Sequence, residues 1–92
     1  MFRIIPVEMV PGEAVETWPG VEDALCRAGD LCQQSRYRSA ALVVIDDDGA
    51  PMGGKCDALS GWSDALLGVA MRRMRRDTQR ARCGGRFDDE AA

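Results

Sequence analysis

Residues Ala40-Ala41-Leu42-Val43-Val44-Ile45 are apolar at six consecutive positions, and this run constrains the fold more than any other stretch. Aliphatic and β-branched residues at this density and length read as a strand. A strand with one wet face alternates. One that does not alternate is covered on both faces or paired along both edges. The rest of the chain therefore has to supply neighbours for this strand and layers above or below it.

The neighbours can be found on either side. Asp46-Asp47-Asp48-Gly49 is turn chemistry, with Gly49 able to take positive φ. The return segment Ala50–Cys56 alternates, which predicts Ala50, Met52, Gly54 and Cys56 facing in and Pro51, Gly53 and Lys55 facing out. Pro51 cannot donate to a ladder, which predicts an edge strand. The opening segment Phe2–Val10 is also apolar and β-branched; Pro6 within it predicts an edge position or a break, and Pro11-Gly12 closes it. Residues 12–17 read as a polar connection. The simplest sheet has three antiparallel strands, about 2–10, 40–46 and 50–56, with 40–46 in the middle.

Two helices provide the layer. Val21, Ala24, Leu25, Ala28, Leu31 and Cys32 recur at spacings of three and four, predicting a helix over about 18–35. Thr17 is placed to cap it and Pro19 to sit in its first turn, with Trp18 either packed down as a staple or exposed as an interface anchor. In the second helix, about 58–83, Leu59, Trp62, Leu66, Val69, Ala70 and Met74 share one face, predicted to be the core face. Asp57 or Ser60 would cap its start and Gly84-Gly85 would stop it. About 25 residues at 1.5 Å each make roughly 37 Å, more than a small sheet can cover. Burial is thus expected to end near Met74, where Arg73 and Asp77 are spaced for an i,i+4 pair. The fold class is α+β. One domain is expected over residues 1–86, followed by a flexible acidic tail over 87–92.

Charge is distributed unevenly along the chain. The net charge is -3, but residues 1–70 carry 5 basic and 11 acidic side chains, residues 71–86 carry seven arginines and one aspartate, and the tail adds three acids. An acidic body with a basic helical end says more about partners than the total does. The arginines Arg72, Arg73, Arg75, Arg76, Arg80, Arg82 and Arg86 admit three readings: a solvated helix end favoured by the dipole, a protein contact, or phosphate contacts on a nucleic acid. The Asp46, Asp47 and Asp48 tip reads as a solvated hairpin turn that offers an acidic point to a basic surface.

Several chemistries are disfavoured. The chain has no histidine, and its cysteines at 26, 32, 56 and 83 show no C-x₂-C spacing, so neither a histidine-dependent triad nor a zinc ribbon fits. Aligned on Gly49, an EF-hand loop would begin at Val44 and end at Lys55, neither of which is the required acid. Cys32 and Cys56 read as small core residues, and Cys26 and Cys83 as more exposed ones. No enzyme, metal or cofactor is expected. No run approaches 18 apolar residues and no secretory pattern opens the chain, so a cytoplasmic protein with no membrane span is expected.

The order apolar strand Ala40–Ile45, Asp-rich turn Asp46–Gly49, strand Ala50–Cys56, long helix Ala58–Arg82 resembles small accessory proteins encoded by bacteriophages and prophages, the anti-CRISPR inhibitors of host defence among them. The resemblance implies a non-enzymatic module that inhibits host machinery by occupying a protein surface. The candidate partner-binding residues are Arg72, Arg73, Arg75, Arg76, Arg80, Asp46, Asp47, Asp48 and Trp18. The alternative is nucleic-acid binding through the arginine-rich half of the helix. A helix that outruns its sheet also leaves room for a homodimer.

Overall fold

The computed structural model describes residues 1–7, 14–37, 40–57 and 61–91, with side chains described as far as Arg80. The elements are β1 (Phe2–Pro6), β2 (Glu16–Trp18), α1 (Val21–Cys32), a 3-10 turn (Ser35–Tyr37), β3 (Ala41–Ile45), β4 (Pro51–Cys56) and α2 (Asp64–Ala91). The chain thus runs strand, strand, helix twice. The α+β class is as expected, but the antiparallel sheet has four strands, in the order β2-β1-β3-β4.

The added strand lies in what reads as a polar connection. Glu16, Thr17 and Trp18 pair with Ile4, Arg3 and Phe2, and Val15 N donates to Ile4 O at 2.8 Å. This turns β1 from an edge into an interior strand, despite Pro6. The register explains why proline is tolerated. Val7 N donates to Ala41 O, so the amides of odd residues in β1 point towards β3 and those of even residues towards β2. The missing amide of Pro6 therefore falls on the β2 side, beyond Ile4↔Glu16, the last pair of that ladder. Residues 8–10 and the Pro11-Gly12 turn, expected to extend and close this strand, lie outside the described residues.

Every residue of β3 is buried, and its alternate side chains supply two cores. Leu42 and Val44 join Ile4 and the α1 residues Ala24, Ala28, Leu31 and Cys32. Ala41, Val43 and Ile45 join Leu67 of α2, with Ile5, Val7, Cys56, Trp62, Met71 and Met74 packed around them. The non-alternating run is thus covered on both faces, by a different helix on each. The thiols fit this packing: Cys32 is buried, Cys56 half-buried and Cys26 exposed, all three free. Burial pushes the Cys32 thiol pKa up. Cys83 lies beyond the described side chains.

Strand β4 is an edge, as Pro51 predicts, but its facing differs from simple alternation. Val44 pairs with Gly53 and Ile45 with Pro51, so Met52 is the extra residue of a bulge. Pro51 is buried in consequence, and Met52 is exposed. The two glycines that follow let the helices approach from opposite sides. A Cβ on Gly53 would lie 2.6 Å from Leu25 Cδ2 of α1, and one on Gly54 would lie 3.1 Å from Leu42 O and 3.2 Å from Leu67 Cδ1 of α2.

The helix ends also differ from expectation. Thr17 does not cap α1, because it is in the middle of β2; Gly20 is the N-cap, without a side-chain hydrogen bond, and Glu22 and Asp23 complement the first turn. The second helix begins at Asp64, later than expected, and Ser63 caps it by accepting from Leu66 N at 3.1 Å. Asp57 precedes the helix by a full loop, while Leu59 and Ser60 lie outside the described residues. At the far end α2 runs through Gly84-Gly85 to Ala91. The acidic segment expected as a tail falls in that stretch, beyond the described side chains.

Candidate functional site

The two helices cover the sheet unequally. Helix α1 touches all four strands, whereas α2 packs chiefly on β4. The reason is local: Leu67, the one buried residue of α2 among those described, seats on the space left by Gly54. Met71, Met74 and Thr78 continue that stripe at helical spacing, with Met71 and Met74 packed into the second core. The helix is thereby rolled away from the predicted core face. Leu66 and Val69, expected in the core, are 48% and 52% exposed. Trp62, expected on the helix, lies in the loop before it and is half-buried.

With α2 over the β4 edge, the adjoining face of β1 is left without a helix above it. The result is an open groove of about 610 Å³ with Ile5 and Val7 on its floor, Trp62 at one end, Leu66, Val69 and Ala70 along its wall, and Arg73 and Asp77 where that wall turns polar. Arg3 lies on the same face of β1 as Ile5, and its buried Nε has no hydrogen-bond acceptor among the described residues.

The arginine cluster divides by direction. Arg72, Arg73, Arg75, Arg76 and Arg80 are all exposed. Among the described arginines, Arg73 is the one that lines the groove. Arg75 turns back to the sheet, where Nη2 donates to Pro51 O at 3.4 Å. Arg72, Arg76 and Arg80 recur at four-residue intervals and so form one outward stripe. Arg82 and Arg86 lie beyond the described side chains. The expected Arg73–Asp77 pair is not formed among the described residues, whose ion pairs include Met1–Asp47 and Arg27–Glu16. Base-before-acid is the less favourable order along a helix, which accounts for its absence. Among the described side chains, the last hydrogen bond from α2 to the body is at Thr78, whose Oγ1 lies 3.1 Å from Gly49 O and 2.8 Å from Met74 O.

The acidic tip is partly occupied with its own structure. Asp46 Oδ1 accepts from the amides of Asp48 and Ala50, each at 2.9 Å, and Gly49 takes φ of 90°. Asp47 meets the terminal ammonium of Met1 at 3.1 Å. No group of three or more potential ligands is placed to hold a metal ion among the described residues, and none of their helices is long and apolar enough to cross a membrane.

Trp18 is not a bare surface anchor. It is half-buried in β2, packs against the first core, and donates from Nε1 to Glu16 Oε1 at 2.9 Å. Glu16 also receives a bidentate contact from Arg27, at 2.9 and 3.0 Å from Nε and 2.9 Å from Nη2. These bonds, the Arg27 contact foremost, hold the Glu16 carboxyl below its ordinary value of 4.5. A carboxyl whose folded pKa is depressed contributes stability above its ordinary pKa and loses it as pH falls through the folded value. Glu16→Gln is therefore expected to lower Tm slightly at neutral pH. The difference from the parent should close below pH 4.5, which a series of thermal melts would check.

No family model, curated protein or solved structure matches this chain.

Proposed function

We propose that this chain is a small protein-binding module without catalytic chemistry, which works by docking a partner in the groove between β1 and α2. The observation that carries this reading is the exposure of Leu66 and Val69 beside a floor of Ile5 and Val7. Scattered exposed aliphatic residues need no explanation, but aliphatic residues grouped around a groove with a polar rim are the pattern of a contact surface. The small size and acidic body agree with an inhibitor of the phage type, acting by occlusion of host machinery, which is the role implied by the strand–turn–strand–helix resemblance.

A second reading is nucleic-acid binding, and the outward stripe of Arg72, Arg76 and Arg80 favours it. Against it, Asp77 interrupts the basic surface and Arg75 is turned towards Pro51.

The two readings separate in one experiment. A photo-cross-linking residue at Val69 is expected to give discrete protein adducts in a lysate of the cells that encode the chain. The same group at Glu22, exposed in the first turn of α1, should give none. Titration with generic duplex and single-stranded DNA should show no binding at moderate salt. Micromolar DNA binding with a steep salt slope, lost on Arg72/Arg73/Arg76/Arg80→Ala, would overturn the protein-binding reading.

A further inference from the structure

We propose that the groove between β1 and α2 is filled by α2 of a second copy of this chain, packed antiparallel about a two-fold axis between Arg73 and Asp77. The inference deepens the protein-binding reading and rests on it.

Charge complementarity selects this occupant. Among the described residues, the groove wall carries one cation and one anion, Arg73 and Asp77, a turn apart, exposed, and with neither in an ion pair with another described residue. Two copies of such a wall are self-complementary only when antiparallel. Arg73 then meets Asp77 of the second copy, and Asp77 meets its Arg73, as an isologous interface requires. Arg72, Arg76 and Arg80 do not line the groove, so these three charges stay outside its lining. Antiparallel helices also set each dipole against the opposite end of the other.

The length of the helix supports the same arrangement. Helix α2 has 28 residues, about 42 Å, while the six-residue strand beneath it spans about 20 Å. Among the described side chains, the last hydrogen bond to the body is at Thr78, and 13 further residues extend to Ala91. With the axis between Arg73 and Asp77, this overhang runs back beside Trp62–Met71 of the second copy, over its Ile5 and Val7. Each copy would thus cover the groove that the other leaves open. A nucleic acid has no chemistry to match the aliphatic floor, and a foreign protein would require no reciprocity between Arg73 and Asp77.

Sedimentation equilibrium of the full chain tests the proposal. From low to high micromolar concentration, the mean mass is expected to rise from 10.0 kDa towards about twice that value. Arg73→Asp alone and Asp77→Arg alone should each weaken association by about ten-fold or more, since each sets like charges opposite one another at the axis. The double exchange R73D/D77R should restore it, because the reciprocal pairs re-form with their signs reversed. A monomer at every concentration overturns the inference, as does a double exchange no tighter than the single ones. The protein-binding reading fails separately: it stands if Val69 gives adducts with any protein chain, a second copy or a foreign protein on a monomer, and it falls if Val69 gives none.

Discussion

Leu42→Ala is expected to lower the free energy of unfolding by about 2–5 kcal/mol. Leu42 is completely buried at the centre of the sheet, against Ile4, Val44 and the small residues Ala24 and Ala28 of α1. Those neighbours sit on paired strands and a helix, so the site cannot easily collapse to fill the space. For a domain of this size the loss is a large part of a total of roughly 5–15 kcal/mol. A loss of 3 kcal/mol corresponds to a fall in Tm of about 12–24 °C. Chemical denaturation and thermal melts would measure it, and a change below about 1 kcal/mol would contradict the double-core account.

Gly54→Val should have the next largest effect, about 1–3 kcal/mol, with a more local signature. The new side chain meets two things that cannot both yield. One is the Leu42 carbonyl, fixed in the ladder, and the other is Leu67, which seats α2. Helix α2 should lift from β4, so amide exchange should quicken across Leu67–Thr78 while α1 stays protected. Gly53→Ala makes the contrasting case. Its Cβ approaches the Leu25 methyl more closely, but Leu25 is half-buried at the end of a flexible side chain and can swing aside. Shortening the obstacle with Leu67→Ala in the Gly54→Val background should recover part of the loss. A simple sum of the two single effects would show that they do not meet.

These glycines also show which parts of the architecture could be read from the chain. The six apolar residues of Ala40–Ile45 announced a strand covered on both sides, and its neighbours β1 and β4 were legible from β-branched residues and turn chemistry. Strand β2 was not. Three residues with charged Glu16 at one end and Pro19 just beyond carry little periodic signal, and what makes them a strand is the free edge of β1 alongside. Pro6 misdirected the reading for the same reason, since only the register shows which neighbour its missing amide would have faced.

The groove was hidden by an ambiguity in α2. Leu66, Val69 and Arg73 form one helical stripe, and Leu67, Met71, Met74 and Thr78 form another beside it. Periodicity alone does not rank them. The adjacent pair Gly53-Gly54 was the available signal, because glycine inside a strand marks close approach of another element. It points to a helix seated over β4, which puts Leu67 down and leaves Leu66 and Val69 at the side. The arginines, by contrast, were legible as exposed, but their division into Arg73 at the groove, Arg75 at Pro51 and an outer stripe needed the helix rotation.

The proposed function requires Leu66 and Val69 to form a contact surface and not a piece of core. The direct measurement is the double variant Leu66→Ser/Val69→Ser, followed for both stability and association. Each substitution is at an exposed position, so at low micromolar concentration stability should change by no more than about 0.5 kcal/mol per site. Association, whether with a second copy or with a cross-linked partner, should disappear. A variant that unfolds would place these side chains in the core, and one that associates as the parent does would remove the groove from the function of the protein.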